Sequence, residues 1–429
     1  MTVRAARLRA AAVVAVLLAV AMASQFTRNS HAVVAPDIAS ELGLPIQSLG
    51  VMSGALFLAA AITMIPFGSL FDAWGARPVL AGKLAVAAAG ALAFGAAHSL
   101  DGLVAGRVLL GVGSAALVMG ALVIASRWAP PQAFGTVVGL TLALSHVGNL
   151  ASTAPLAWLV GWVGWRSAFT LIAAALATLS VVVWMLARDA PPGHPYHAQS
   201  RPNAWASMRG VVDVLRLPGF LHVAALSFVA FAAFVTVLGV WASPYLRDRF
   251  GLDAVGRSHV LLAMTAGIIV GNSIYGLADR RVHSRKRLVT IGAVGNAAVL
   301  AALALRAQHA SLAEVVVLLT LLGASSCYTA TLIAHGRSLY PDALIGRGMS
   351  TLNAAVLAGA AFTQIASAQV ARPFGTAAGG LEPIGYSVMF AVLSGWVLLG
   401  LAVYRGGPDS HARSAPVAAA PAAGEAPGR

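Results

Sequence analysis

Apolar residues run through this chain in blocks of about twenty, the length needed to cross a bilayer as a helix, and short polar breaks separate them. Windows of that size predict twelve spans, over 10–35, 46–68, 78–98, 101–126, 132–160, 163–187, 219–244, 256–278, 288–307, 313–336, 347–370 and 383–404. One interruption is longer. Over 188–218, Asp189, Pro191, Pro192, Gly193, Pro195, Arg201, Pro202 and Arg209 break the apolar pattern and read as a linker. After 405 the chain turns rich in Pro, Ala and Gly, too poor in apolar bulk to build a core, and reads as a disordered tail. The predicted plan is all-α: a bundle over 1–187, a linker over 188–218, a second six-helix bundle over 219–404 and a tail over 405–429.

Composition supports a membrane solvent. Hydrophobic residues make up 59% of the chain and charged residues 10%, where a soluble domain carries about a quarter charged. The net charge of +14 does not point to nucleic acid, because the basic residues sit in short gaps between apolar runs. Most of them fall in segments that share a side with the N-terminus, including Arg280, Arg281, Arg285, Lys286 and Arg287. The positive-inside bias therefore places both termini and the linker in the cytoplasm of a bacterial inner membrane. Arg4, Arg7 and Arg9 followed by an apolar run to Ala23 mimic a cleavable leader. The polar stretch from Ser24 to His31 fits a retained first span with a functional face better. The single cysteine, Cys327, excludes an intrachain disulfide and a Cys-based metal site. No nucleophile–base pair or ligand cluster suggests an enzyme, a metal or a cofactor.

The two halves read as a repeat. Gly68-Ser69-Leu70-Phe71-Asp72-Ala73-Trp74-Gly75-Ala76-Arg77 follows the second span, and Tyr275-Gly276-Leu277-Ala278-Asp279-Arg280-Arg281 follows the eighth. Their aspartates lie 207 residues apart, about half the chain, as two parallel repeats require.

At these residues the sequence resembles the major facilitator superfamily. Gly68, Leu70, Asp72, Gly75 and Arg77 match its loop signature G-x-L-x-D-x-x-G-x-[RK], with Ala73 in place of a usual arginine. Arg107-Val108-Leu109-Leu110-Gly111-Val112-Gly113 is similar to the family's helix-four motif, and Gly164-Trp165-Arg166 with Phe169 to the entry of helix six. The resemblance implies two six-helix bundles that rock about a midplane site. It implies that Gly68, Asp72, Gly75, Arg77, Arg107 and Asp279 control the conformational change, Asp72 as part of a latch between the halves. The expected partners are a small-molecule substrate, a coupling proton or counter-anion, and the bilayer; the expected state is a monomer.

Charge inside the spans narrows the solute. None of the fourteen Asp and Glu residues falls mid-span, which disfavours exporters of cationic drugs and proton-coupled sugar porters. The exporter signature of helix five is also broken: Gly139 and Gly148 are kept, but Ser152, Thr153, Leu156 and Ala157 stand where it needs G, P, G and G. Arg28 and Arg107 do lie inside spans. Ser24, Arg28 and His31 share one face of the first span, in a stretch that resembles helix one of the organic-anion and organophosphate branches. His146 and Asn149 on the fifth span complete the candidate binding set. The symmetry positions of Arg28 in the second half, Phe234 or Val235, are uncharged. A single guanidinium fits a monoanion, carboxylate or sulfonate, better than a phosphate dianion. An exporter of drugs or other amphiphiles is the alternative, and a membrane sensor that retains the fold is a further one.

Overall fold

The computed structural model describes residues 3–45, 47–129, 131–191, 213–282, 284–340, 345–376 and 380–409. Most of the expected linker and the tail beyond 409 lie outside the described residues. So do the side-chain surroundings of Gly68 and Asp72, although both belong to a described helix. The first bundle comprises α1 (Val3–Asn29), α2 (Ala35–Glu41), α3 (Gln47–Trp74), α4 (Ala76–Gly95), α5 (Leu100–Ser114), α6 (Leu117–Trp128), α7 (Pro131–Ala151) and α8 (Ala154–Leu186). The second comprises α9 (Phe220–Thr236), a π turn (Val237–Trp241), α10 (Ala242–Phe250), α11 (Ala254–Arg281), α12 (Arg285–Arg306), α13 (Leu312–Ser325), α14 (Tyr328–Leu339), α15 (Ile345–Ala371) and α16 (Pro383–Arg405).

These helices resolve into twelve crossings. Eleven stretches are long and apolar enough to span a membrane, and one of them, Thr136–Leu186, is 51 residues long. It holds two crossings joined at Gly164, whose φ of 76° turns the chain sharply. Where a continuous run was expected, several spans are broken. Span 1 stops at Asn29 and resumes at Ala35, span 4 breaks at Ala115–Ala116, span 5 at Ser152–Thr153, and span 10 at Ser326–Cys327. Span 7 widens into the π turn. Every third span from the first is interrupted, in both bundles.

Some interruptions have a local cause. Pro36 and Pro155 sit in the first turn of α2 and α8, where a missing N–H costs nothing, but neither could continue the helix before it. Pro244 lacks the N–H that would bond Val240 and crowds that carbonyl, so the helix widens just before it. Ala116 has no such excuse. It holds φ 59° without being glycine, a strained geometry that its packing must maintain.

The bundles meet most closely where α3 lies against α15. A methyl added to Gly50 would sit 2.4 Å from the Gln364 carbonyl oxygen and 2.5 Å from Ala368 Cβ, so backbone contact there needs glycine. This seal lies at the end of the molecule opposite the chain termini. At the same end Arg257 on α11 binds both carboxylate oxygens of Asp37 on α2, at 2.8 and 3.0 Å.

Candidate functional site

A broken helix leaves carbonyls without intrahelical donors, and a bilayer offers no water to replace them. The first bundle meets this demand with cations. Arg107 on α5 is fully buried. Its guanidinium donates to the carbonyls of Thr27 and Arg28, at 3.4 and 3.3 Å, in the last turn of α1, and to Met52 O at 3.4 Å. The C-terminal end of α1 carries the negative pole of the helix, so a cation suits it. Lys83 on α4 performs the same service for α5. Its ammonium donates to Val112 O at 2.7 Å and lies over the Phe67 ring. Ser24 donates to Ser114 O at 3.4 Å at the same helix end.

Arg28 differs from both. It is half-buried at the end of α1, Nε is buried without a partner, and its guanidinium has no acceptor among the described residues. Three cations are thus embedded in the first bundle, and two of them are already satisfied by backbone.

The other predicted binding residues take positions around the break in span 1. His31 Nε2 lies 2.5 Å from Ser53 Oγ on α3. Asn29 donates to Asn149 Oδ1 at 2.6 Å, tying the end of α1 to α7. His146 lies farther along α7, where Asn272 of the second bundle approaches Nε2 at 3.4 Å. So Arg28, His31 and Asn149 lie at the break in span 1 and Ser24 donates at the break in span 4, while His146 sits at a contact between bundles.

Two residues of this neighbourhood escaped the sequence reading. Lys83 falls near the start of an apolar run and reads as an end-of-span lysine; in the fold it is 2% exposed. Gln364 is fully buried on α15 and donates to Val235 O at 3.4 Å. A methyl on Gly239, in the π turn, would touch both Gln364 Nε2 at 3.7 Å and His31 Cε1 at 3.8 Å. Gln364 and His31 therefore both border Gly239 of the second bundle. The available signal was an amide in the middle of an apolar span, one of three there with Asn353 and Gln369.

The expected gating residues are placed at the terminus end, except Arg107, which sits at the break in span 1. Gly75 has φ 89° at the start of α4, a conformation that favours glycine. The Arg77 guanidinium donates to Trp184 O and stacks on the Trp184 ring, while its backbone N–H donates to Asp189 at 2.9 Å. Asp279 pairs with Arg285 at 3.2 Å, within the second bundle. At the opposite end, Glu41 accepts from the Trp165 indole at 2.6 Å and from Arg166. The Trp165 bond foremost, and then Arg166, hold its carboxyl below the usual range.

Comparison with known proteins agrees with this architecture. A family model described as Major Facilitator Superfamily matches residues 17–282, more than half of the chain. A chloramphenicol resistance protein of Streptomyces lividans is 28% identical over 283 residues, 62% of this chain and 66% of that protein. A probable sulfoacetate transporter of Cupriavidus necator is 25% identical over 273 residues, 60% of this chain and 62% of that protein. A hexuronate transporter of Escherichia coli is 24% identical over 290 residues, 62% of this chain and 66% of that protein. The chain spans just under two thirds of the length of these curated relatives. In three dimensions it resembles a bacterial homologue of the human lysosomal transporter Spinster, solved inward-facing and occupied. That match has a TM-score of 0.72 and 16% identity over 92% of this chain and 95% of the other. With twelve crossings in two bundles, the signature turn at Gly75 and a family match over most of the first bundle and into the second, the chain belongs to the major facilitator superfamily.

Proposed function

We propose that this protein is a secondary active transporter of a small organic monoanion, a carboxylate or sulfonate, across the bacterial inner membrane. The two bundles rock about the break in span 1, with both termini cytoplasmic, and a single chain is the working unit. One observation carries the reading: of the three cations embedded in the first bundle, Arg28 alone lacks an acceptor among the described residues. A guanidinium in a membrane is costly unless an anion meets it. Ser24, His31 and Asn149 shape the same neighbourhood, and His146 lies where the bundles touch. Gly68, Asp72, Gly75, Arg77 and Asp279 belong to the end that must open and close, and Arg107 holds the break itself. Similarity to transporters named for hexuronate and sulfoacetate supports an acidic substrate.

Uptake into proteoliposomes, screened over monocarboxylates, sulfonates and hexuronate, tests this. Arg28→Ala should weaken substrate affinity by two to three decades, from a loss of about 3–5 kcal/mol, while the protein stays monodisperse. Arg28→Lys keeps the charge but loses the two-point fork, and should recover only part of the affinity. Near-normal uptake by Arg28→Ala, or a cationic substrate, would sink the proposal. Similarity to the chloramphenicol resistance protein favours a second reading, export of a drug or other amphiphile. Raised drug tolerance in expressing cells, unchanged by Arg28→Ala, would select it.

A further inference from the structure

Away from the span breaks, at the terminus end of the second bundle, the start of α12 and the end of α16 enclose a cavity of about 380 Å³. Lys286, Arg287 and Arg405 line it, together with the hydroxyl residues Ser284 and Thr290. Lys286 is partly engaged, donating to the carbonyls of Arg405 and Gly407 at 2.9 and 2.5 Å, which ties the end of α16 to α12. The guanidinium groups of Arg287 and Arg405 are exposed and have no partner among the described residues. One carboxylate enters the cavity: Asp409, which accepts from Ser284 Oγ at 2.8 Å. Among the described residues, three positive charges therefore face one negative charge.

The surface next to this cavity is apolar. Ile291 lines its edge at 61% exposure, one turn beyond Arg287, and Val294 continues that face of α12 at 49%. Leu398, 48% exposed, and the exposed Ala402 lie on the face of α16 that carries Arg405. A basic recess of this size above two exposed apolar stripes matches a molecule with an anionic head and long apolar tails. Free anions would use the recess but not the stripes. Zwitterionic lipids would use the stripes but bring a second cation into a recess that already has an excess.

We infer that the recess between α12 and α16 is a binding site for an anionic phospholipid, its phosphate held by Arg287 and Arg405 and its tails laid along Ile291 and Leu398. Asp409, at the root of the C-terminal segment, competes for the same cations, so the lipid and this carboxylate exclude each other there. The site does not depend on what the protein transports.

Native mass spectrometry of the full-length protein tests the assignment, with titrations of phosphatidylglycerol, phosphatidylcholine and glycerol phosphate. The expected result is one tightly retained phosphatidylglycerol, preferred about tenfold over phosphatidylcholine, with no comparable retention of glycerol phosphate. Arg287→Gln with Arg405→Gln should erase the preference, and Arg287→Lys with Arg405→Lys should retain part of it, which separates lost charge from misfolding. Asp409→Asn should strengthen retention several-fold. An unchanged preference in the double glutamine variant overturns the site. Equal retention of phosphatidylcholine overturns the charge selection, and equal retention of glycerol phosphate overturns the lipid as its source.

Discussion

In the first bundle a guanidinium and an ammonium join hydroxyls in meeting carbonyls at the helix breaks; in the second, among the described residues, the donors at the breaks are all neutral. At the break in span 10, Ser326 donates to Leu322 O at 2.5 Å, while Cys327 Sγ donates to Ile268 O inside α11 at 3.2 Å and Asn296 to the Ser325 hydroxyl at 3.0 Å, which tie the break to its neighbours. Beside the π turn, Gln364 reaches Val235 O, and Thr236 pairs with Thr363 at 2.9 Å. The backbone problem is the same in both bundles, and both solutions satisfy the carbonyls. Their consequence for a solute differs. Cationic donors leave a net positive charge inside the first bundle, with Arg28 added to it, whereas the described residues of the second bundle contribute dipoles at its breaks. An anion entering between them would be held by one side and guided by the other.

The largest effect should come from removing the charged solution. Arg107→Ala takes the donor from Arg28 O in a fully buried site, and one donor each from Thr27 O, which keeps Ser30 Oγ, and Met52 O, which lies inside α3. At about 1–3 kcal/mol for a buried group left unsatisfied, the loss should exceed that of removing one neutral donor. Monodisperse yield and thermal midpoint in detergent should both fall, unlike Arg28→Ala, which should lose uptake and keep its midpoint. An unchanged midpoint for Arg107→Ala would break the contrast between the structural cation and the one proposed to bind substrate.

Removing a neutral donor should cost less. Ser326→Ala in the second bundle deletes one hydroxyl bond to Leu322 O, worth about 0.5–1.5 kcal/mol. Parallel melts of the two variants sharpen the comparison. A loss for Ser326→Ala equal to that for Arg107→Ala would mean that charge adds nothing to the repair of a break.

The smallest effect concerns a charged pair outside the bilayer core. Glu41 meets Trp165 and Arg166 with its side chain 46% exposed, so Glu41→Gln should cost less than about 1 kcal/mol near neutral pH. Because its folded pKa is depressed, the contribution is present above the unfolded carboxylate value of about 4.3 and fades as pH falls through the folded value. Melts across that range should show wild type and variant converging in acid. A gap that widens in acid would remove the ion pair from the account.

The twelve crossings and their pairing into two halves are legible in the amino-acid sequence, because a bilayer demands a fixed apolar length from each segment on its own. Gly75 and Gly164 announce their turns through the motifs that hold them, and Pro36, Pro155 and Pro244 mark three interruptions by the bond that each cannot make. The sequence also determined that the spans hold cations and no mid-span carboxylate. Tertiary structure decided everything that depends on a distant partner. Nothing local to Ala116 foretells its left-handed turn, and nothing near Lys83 foretells burial against Val112, 29 residues away. Arg28 and Arg107 look alike as lone arginines in apolar runs. Only the packing of α5 against the end of α1 makes Arg107 a cap for stranded carbonyls and leaves Arg28 without an acceptor among the described residues, since orphan backbone groups and the side chains that satisfy them come from different helices.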